Sequence, residues 1–93
     1  MYGYTPDKDD YLRRLRRIEG QVRGLDKMLQ EDQPCPKVLN QLAATQAALD
    51  SVSRIVLRNY LENCVTSAIA SGDDRRKDAV FDKLMDVLKK FGR

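Results

Sequence analysis

Apolar residues recur along three stretches of this chain with the period of an α-helix, and glycine, proline and acidic residues punctuate them. The first stretch carries Tyr11, Leu15, Ile18, Val22, Leu25 and Leu29, a 4-3-4-3-4 heptad spacing widened by Leu12 and Met28. Thr5-Pro6-Asp7 precedes it as a helix start, with a capping hydroxyl, proline at the first helical position and acids in the first turns. A helix over about 6–31 follows, after a loose arm at 1–4. The second stretch carries Val38, Leu42, Leu49, Val52 and Val56, widened by Leu39, Leu57, Tyr60 and Leu61 and continued by Val65, Ala68 and Ile69. It holds no glycine and no proline between Pro36 and Ser71-Gly72, so it predicts one long helix over 36–71 with Cys35 at its cap. Asp73 or Asp74 caps a third helix over 74–91, whose apolar face is Val80, Phe81, Leu84, Met85, Leu88 and Phe91. The expectation is an all-α fold of three helices in a single domain, 1–93.

Charge changes the picture of the first helix. From Arg13 to Lys27 six bases face two acids, and five of the bases are arginine, the side chain best suited to bidentate phosphate contact. Gly20 and Gly24 lie inside the same helix, each costing about 1 kcal/mol against alanine, which suggests close approach by another backbone, protein or DNA. Net charge is +3, compatible with a nucleic-acid partner. The expected DNA face is Arg13, Arg14, Arg17 and Arg54, with Arg16 and Gln21 as weaker candidates.

Two cysteines, Cys35 and Cys64, stand at the ends of the second stretch. At about 1.5 Å per residue, a helix from Pro36 to Asn63 spans roughly 42 Å. The two sulfurs of one chain are then too far apart to meet. They meet only across two antiparallel chains, Cys35 of one against Cys64 of the other, about an axis near Leu49-Asp50. Without a secretion signal the pair points to metal or redox chemistry rather than a structural disulfide. The chain contains no histidine, which excludes histidine-containing metal sites and Ser-His-Asp or Cys-His catalysis. No acid–base constellation suggests an enzyme. No apolar run of about 18 residues suggests a membrane span, and a cytoplasmic protein is expected.

The segment Leu15-Arg16-Arg17-Ile18-Glu19-Gly20-Gln21-Val22-Arg23-Gly24, then Cys35, then Asn59-Tyr60-Leu61-Glu62-Asn63-Cys64-Val65 resembles the copper-sensing operon repressor (CsoR/RcnR) family over about residues 9–91. The resemblance implies an all-α repressor in which two protomers form an antiparallel four-helix bundle and dimers pair into a homotetramer. It implies operator DNA bound by basic residues of the first two helices without a helix-turn-helix. Arg14 and Arg54 match the family's basic contacts most nearly. Inducer at the inter-protomer site would release the DNA.

Copper-type members carry a histidine four residues before the second cysteine, and Tyr60 stands there. The tyrosine before their first cysteine is Pro34 here, and their third-helix glutamate falls at or near Val80. A neutral phenol is a poor ligand for soft Cu(I). Among family members, a dithiol with its metal shell removed resembles the persulfide-sensing branch, the CsoR-like sulfurtransferase repressors. The expectation is therefore no cofactor. Hydropersulfide or polysulfide would act as inducer, and derepression would serve sulfide detoxification. Cys35 would attack sulfane sulfur, Cys64 of the partner would resolve it, and Tyr60 would fill the sensor pocket rather than hydrogen-bond to sulfur. The alternatives are a Cu(I) sensor with Cys35 and Cys64 as a bis-thiolate pair, and a general thiol redox sensor.

Overall fold

The protein is described by a computed structural model over residues 7–91, and all regular structure there is helical. Helix α1 spans Lys8–Gln30 and α2 spans Cys35–Asn59. A π-helical segment, Tyr60–Val65, follows α2 directly and leads into the short α3, Thr66–Ala70; α4 spans Asp74–Phe91. Because α2, the π segment and α3 are contiguous, the chain has three helical rods, as the pattern predicts. Thr5, Pro6 and the arm at 1–4 lie outside the described residues; Asp7 is the N-cap of α1.

Local chemistry sets the ends. Beyond α1 the N–H of Gln33 bonds the carbonyl of Met28 at 3.0 Å, and that of Asp32 bonds Leu29 at 3.2 Å. That pair of bonds is a Schellman closure, with Asp32 at φ 54° in the left-handed position usually given to glycine. The carbonyl of Pro34 accepts from Lys37 (3.0 Å) and Val38 (3.2 Å), so Pro34 is the cap and Cys35 already lies in the first turn, one residue earlier than expected. Gly72, at φ 71°, turns the chain out of α3. Asp73 then caps α4, its Oδ1 accepting from the N–H of Arg75 (3.0 Å) and Arg76 (3.3 Å).

The expected uninterrupted second helix is corrected at one place. In the π segment the N–H of Thr66 reaches back five residues to Leu61 O, and the Thr66 hydroxyl donates to the same carbonyl at 3.1 Å. Asn63 Nδ2 donates to Asn59 O at 3.0 Å. Amide and hydroxyl groups thus help to satisfy carbonyls on which the ordinary four-residue ladder slips.

Two compact units part between Ile55 and Val56. In the Pro6–Ile55 unit α1 and α2 run antiparallel: the Tyr11 hydroxyl reaches Ile55 O at 3.5 Å, and a Cβ on Gly24 would lie 3.8 Å from Gln41 Nε2. The heptad seam of α1 divides. Tyr11, Ile18 and Leu25 are buried, whereas Leu15, Val22 and Leu29 are 37%, 52% and 63% exposed. α2 repeats the division, with Val38, Thr45 and Val52 buried and Leu42 and Leu49 exposed. Thr45 fits inside because its hydroxyl is spent on Gln41 O at 2.8 Å. In the Val56–Arg93 unit, α4 packs on the π segment and α3. Asn59, Val65, Ala68 and Leu84 are buried there, while Phe81, Met85, Leu88 and Phe91 stay largely exposed.

Candidate functional site

The π segment carries Tyr60 and Cys64 into one cleft of about 330 Å³, lined also by Asn63, Ser67, Arg76, Val80 and Lys83. Cys64 is a half-buried free thiol. Tyr60 donates its hydroxyl hydrogen to Val80 O across to α4 at 3.3 Å. Burial, and secondarily the charge of Cys64, push the Tyr60 phenol above its ordinary pKa. The phenol therefore stays protonated at neutral pH and its hydrogen is committed to a backbone carbonyl. It fills space and ties the π segment to α4. Val80 meets Tyr60 through backbone, so an apolar side chain at that position suffices.

Two cations that were not among the expected site residues, Arg76 and Lys83, belong to this cleft. Arg76 Nη2 donates to Ser67 Oγ at 3.0 Å, which holds the guanidinium against α3. Lys83 enters from the next turns of α4. Neither makes an ion pair with an acid among the described residues. Helical arithmetic on α4 puts Arg76, Val80 and Lys83 on one face. What the sequence lacked was the π slip that decides which residues of the preceding rod that face meets.

Cys35, at the start of α2 in the other unit, is a free and exposed thiol. Among the described residues no group of three or more cysteine, histidine or acidic side chains is placed to hold a metal. A site using both cysteines therefore draws at most two protein sulfurs. No helix among the described residues is long and apolar enough to cross a membrane.

The basic face divides by its partners. Arg13, Arg16, Arg17 and Arg54 are exposed and make no ion pair among the described residues. Arg14 is held by Asp10 at 3.0 Å. The Tyr11–Ile55 contact brings the stretch of α2 bearing Arg54 alongside the first turns of α1. Gln21 differs from the arginines: it is half-buried, and its Oε1 is buried without a hydrogen-bond partner. Gly20 and Gly24 have ordinary room for a Cβ, so packing within the chain does not require either.

The model of the metal-sensitive transcriptional repressor family matches residues 7–90. The chain belongs to that family. It is 51% identical over 71 residues to the copper-sensing transcriptional repressor RicR of Mycobacterium tuberculosis, covering 76% of this chain and 74% of that one. It is 42% identical over 87 residues to the copper-sensing transcriptional repressor CsoR of Bacillus subtilis, covering 94% and 83%. The crystal structure of the copper-sensing repressor CsoR with Cu(I) from Geobacillus thermodenitrificans superposes with a TM-score of 0.87 at 38% identity, covering 95% of this chain and 88% of that chain. Members are transcriptional repressors and not enzymes.

These matches correct the sulfur-chemistry expectations. Placement in the persulfide-sensing branch, hydropersulfide or polysulfide as inducer, and the absence of a cofactor are all overturned by the copper-sensing relatives and the Cu(I)-bound structure. The inference failed at Tyr60. Loss of an imidazole was read as loss of the metal site, yet thiolate is itself the softest donor a protein offers and selects Cu(I). The phenol, bonded to Val80 O, leaves the Cys64 sulfur unencumbered.

Proposed function

We propose that this chain is a Cu(I)-responsive transcriptional repressor in which Cys64 of one protomer and Cys35 of a second hold the ion as a two-thiolate pair. The observation that carries the reading is the cleft at Cys64: a free half-buried thiol beside a phenol whose hydrogen is spent elsewhere. The donor set fits. Two thiolates suit soft Cu(I), and the chain contains no histidine to favour nickel or cobalt. Bound there, Cu(I) would supply a link between sulfurs of two chains.

The need for two chains rests on α2. It runs 25 residues from Cys35 without a break, about 37 Å at the α-helical rise. The open seams support an antiparallel dimer: Leu15, Val22 and Leu29 on α1, and Leu42 and Leu49 on α2, are large apolar groups left to solvent at heptad spacing. Two such hairpins closing on one another make a four-helix bundle with an axis near Leu49-Asp50. Pairing of dimers into a tetramer follows from the family resemblance. Operator DNA is held by Arg13, Arg16, Arg17 and Arg54, whose guanidinium groups carry no competing carboxylate among the described residues. Arg14 contributes once DNA displaces Asp10. Joining the start of α2 to the π segment of a partner biases the relative position of the two basic faces, and with it the affinity for DNA.

Anaerobic Cu(I) titration against a competing chelator, followed by operator-DNA anisotropy, tests this. One Cu(I) per protomer and a loss of DNA affinity are expected. Allosteric couplings usually amount to about 1–3 kcal/mol, or roughly 5- to 150-fold. Cu(I) binding that leaves DNA affinity unchanged refutes the coupling, and failure to compete with the chelator refutes the site.

A further inference from the structure

The cleft around Cys64 has the wrong charge for a bare cation. Among the described residues it is lined by Arg76 and Lys83 and by no carboxylate. Arg76 is fixed on Ser67 at 3.0 Å. Neither base is neutralised by an acid among the described residues. The rest of the lining, Tyr60, Asn63 and Ser67, is polar and uncharged apart from Val80 and the thiol itself. Such a pocket repels a free metal cation and attracts an anion. With a volume of about 330 Å³, it is at the lower end of small-molecule sites, typically about 300–1,000 Å³.

We propose that Arg76 and Lys83 form a docking site for an anionic low-molecular-weight thiolate complex of Cu(I), so that the metal enters the Cys64 site from a carrier thiol rather than as the free ion. The proposal rests on the Cu(I) reading above and names the form in which the ion arrives. The carrier's negative groups engage Lys83 and the Ser67-anchored guanidinium, which brings one carrier sulfur next to Cys64. The step is a ligand exchange. The Cys64 thiol releases its proton to solvent, and the thiolate donates a lone pair to form a Cu–S bond. One Cu–S bond to the carrier breaks, and the carrier sulfur leaves with that electron pair and takes a proton from water. Copper stays Cu(I) and no electron is transferred. Arg76 and Lys83 act by positioning, since neither touches the metal.

The test compares two Cu(I) donors with the full chain under anaerobic conditions: the glutathione complex, which is anionic, and the acetonitrile complex, which is cationic. Loading is followed by the rise of thiolate-to-Cu(I) charge-transfer absorbance in stopped flow. From the glutathione complex, the wild-type rate should fall with added salt. R76Q and K83Q should each slow it by about tenfold, the low end of electrostatic steering. R76K and K83R should restore most of the rate. From the acetonitrile complex, the glutamine variants should load at the wild-type rate or faster, and their final Cu(I) stoichiometry should be unchanged. Circular dichroism of R76Q and the rescue in R76K separate lost charge from a lost Ser67 contact. Glutamine variants that load from both donors at wild-type rates, or a rate from glutathione indifferent to salt, overturn the docking site alone. Wild-type protein that takes Cu(I) from neither donor overturns the Cu(I) reading itself.

Discussion

The two cysteines of this chain occupy contrasting places. Cys35 is an exposed thiol in the first turn of α2, flanked by Pro34 and Pro36. Cys64 is half-buried in a π-helical segment, inside a cleft with a phenol, two bases and an α4 backbone carbonyl around it. One sulfur is presented and the other is enclosed. On the proposed function, the enclosed half-site is built by one chain and completed by the presented thiol of another. The lesson is that a composite site need not be symmetric in its preparation: the enclosing shell is all on one side.

The largest effect that would break this contrast is loss of either sulfur. C35S and C64S should each lose Cu(I) to a competing chelator, well beyond the roughly 10- to 100-fold that loss of a supporting group costs. Mixing C35S with C64S chains should restore about one quarter of the wild-type stoichiometry, because random re-pairing about a two-fold axis makes half of the dimers mixed and each mixed dimer regains one of its two sites. Titration of the refolded mixture checks it, and no recovery would place the site within one chain. Next in size is L49D, which puts a carboxylate at the expected dimer axis. Leaving a charge buried and uncompensated there costs about 3–5 kcal/mol, so sedimentation should show monomer, and Cu(I) binding should fail although both cysteines remain. In R17Q, each lost phosphate contact should lower the slope of log K against log salt by about 0.9, with Cu(I) affinity untouched. R14Q should do less, because Asp10 already holds that guanidinium.

The smallest effect sharpens the role of Tyr60. Y60F removes the bond to Val80 O, at about 0.5–1.5 kcal/mol of stability for a neutral hydrogen bond, and should leave Cu(I) affinity at its wild-type value. A drop in affinity would make the phenol a ligand. The pH dependence has a definite sign. Because folding raises the phenol pKa, the folded chain holds this proton more tightly than the unfolded chain. The stabilisation is complete below the unfolded value near 10 and is lost as pH rises through the folded value. Urea melts from pH 8 to 11 should show the decline begin above about pH 10 in wild type and be weaker in Y60F. Tyr11, whose phenol is raised first by burial and then by Asp7 and Asp10, contributes in the same direction and persists in Y60F.

Much of this was legible in residue order. Heptad spacing located three helical rods, Ser71-Gly72 marked a stop, and Asp73 or Asp74 marked the next start, because turns and caps are local chemistry. Tyr60 was picked out as a neighbour of Cys64, and their i, i+4 spacing was enough to set them in one cleft. The inducer was misread because absence of histidine was weighed above presence of two soft sulfurs. The split of the α1 seam into buried Tyr11, Ile18 and Leu25 and open Leu15, Val22 and Leu29 could not be read from pattern. Both sets are equally apolar, and only the packing of α2 chooses between them.

The sequence by itself therefore determined the helical rods and where they stop and start, since each depends on neighbours within a few positions. Tertiary structure alone decided the π slip at Tyr60–Val65, the bond from Tyr60 to Val80 and the arrival of Arg76 and Lys83 at Cys64. A one-residue slip in a helix turns every later side chain to a new heading. Which bases of α4 meet the thiol is consequently set by the packing of α4 against the slipped rod, and that contact lies beyond the reach of any local pattern.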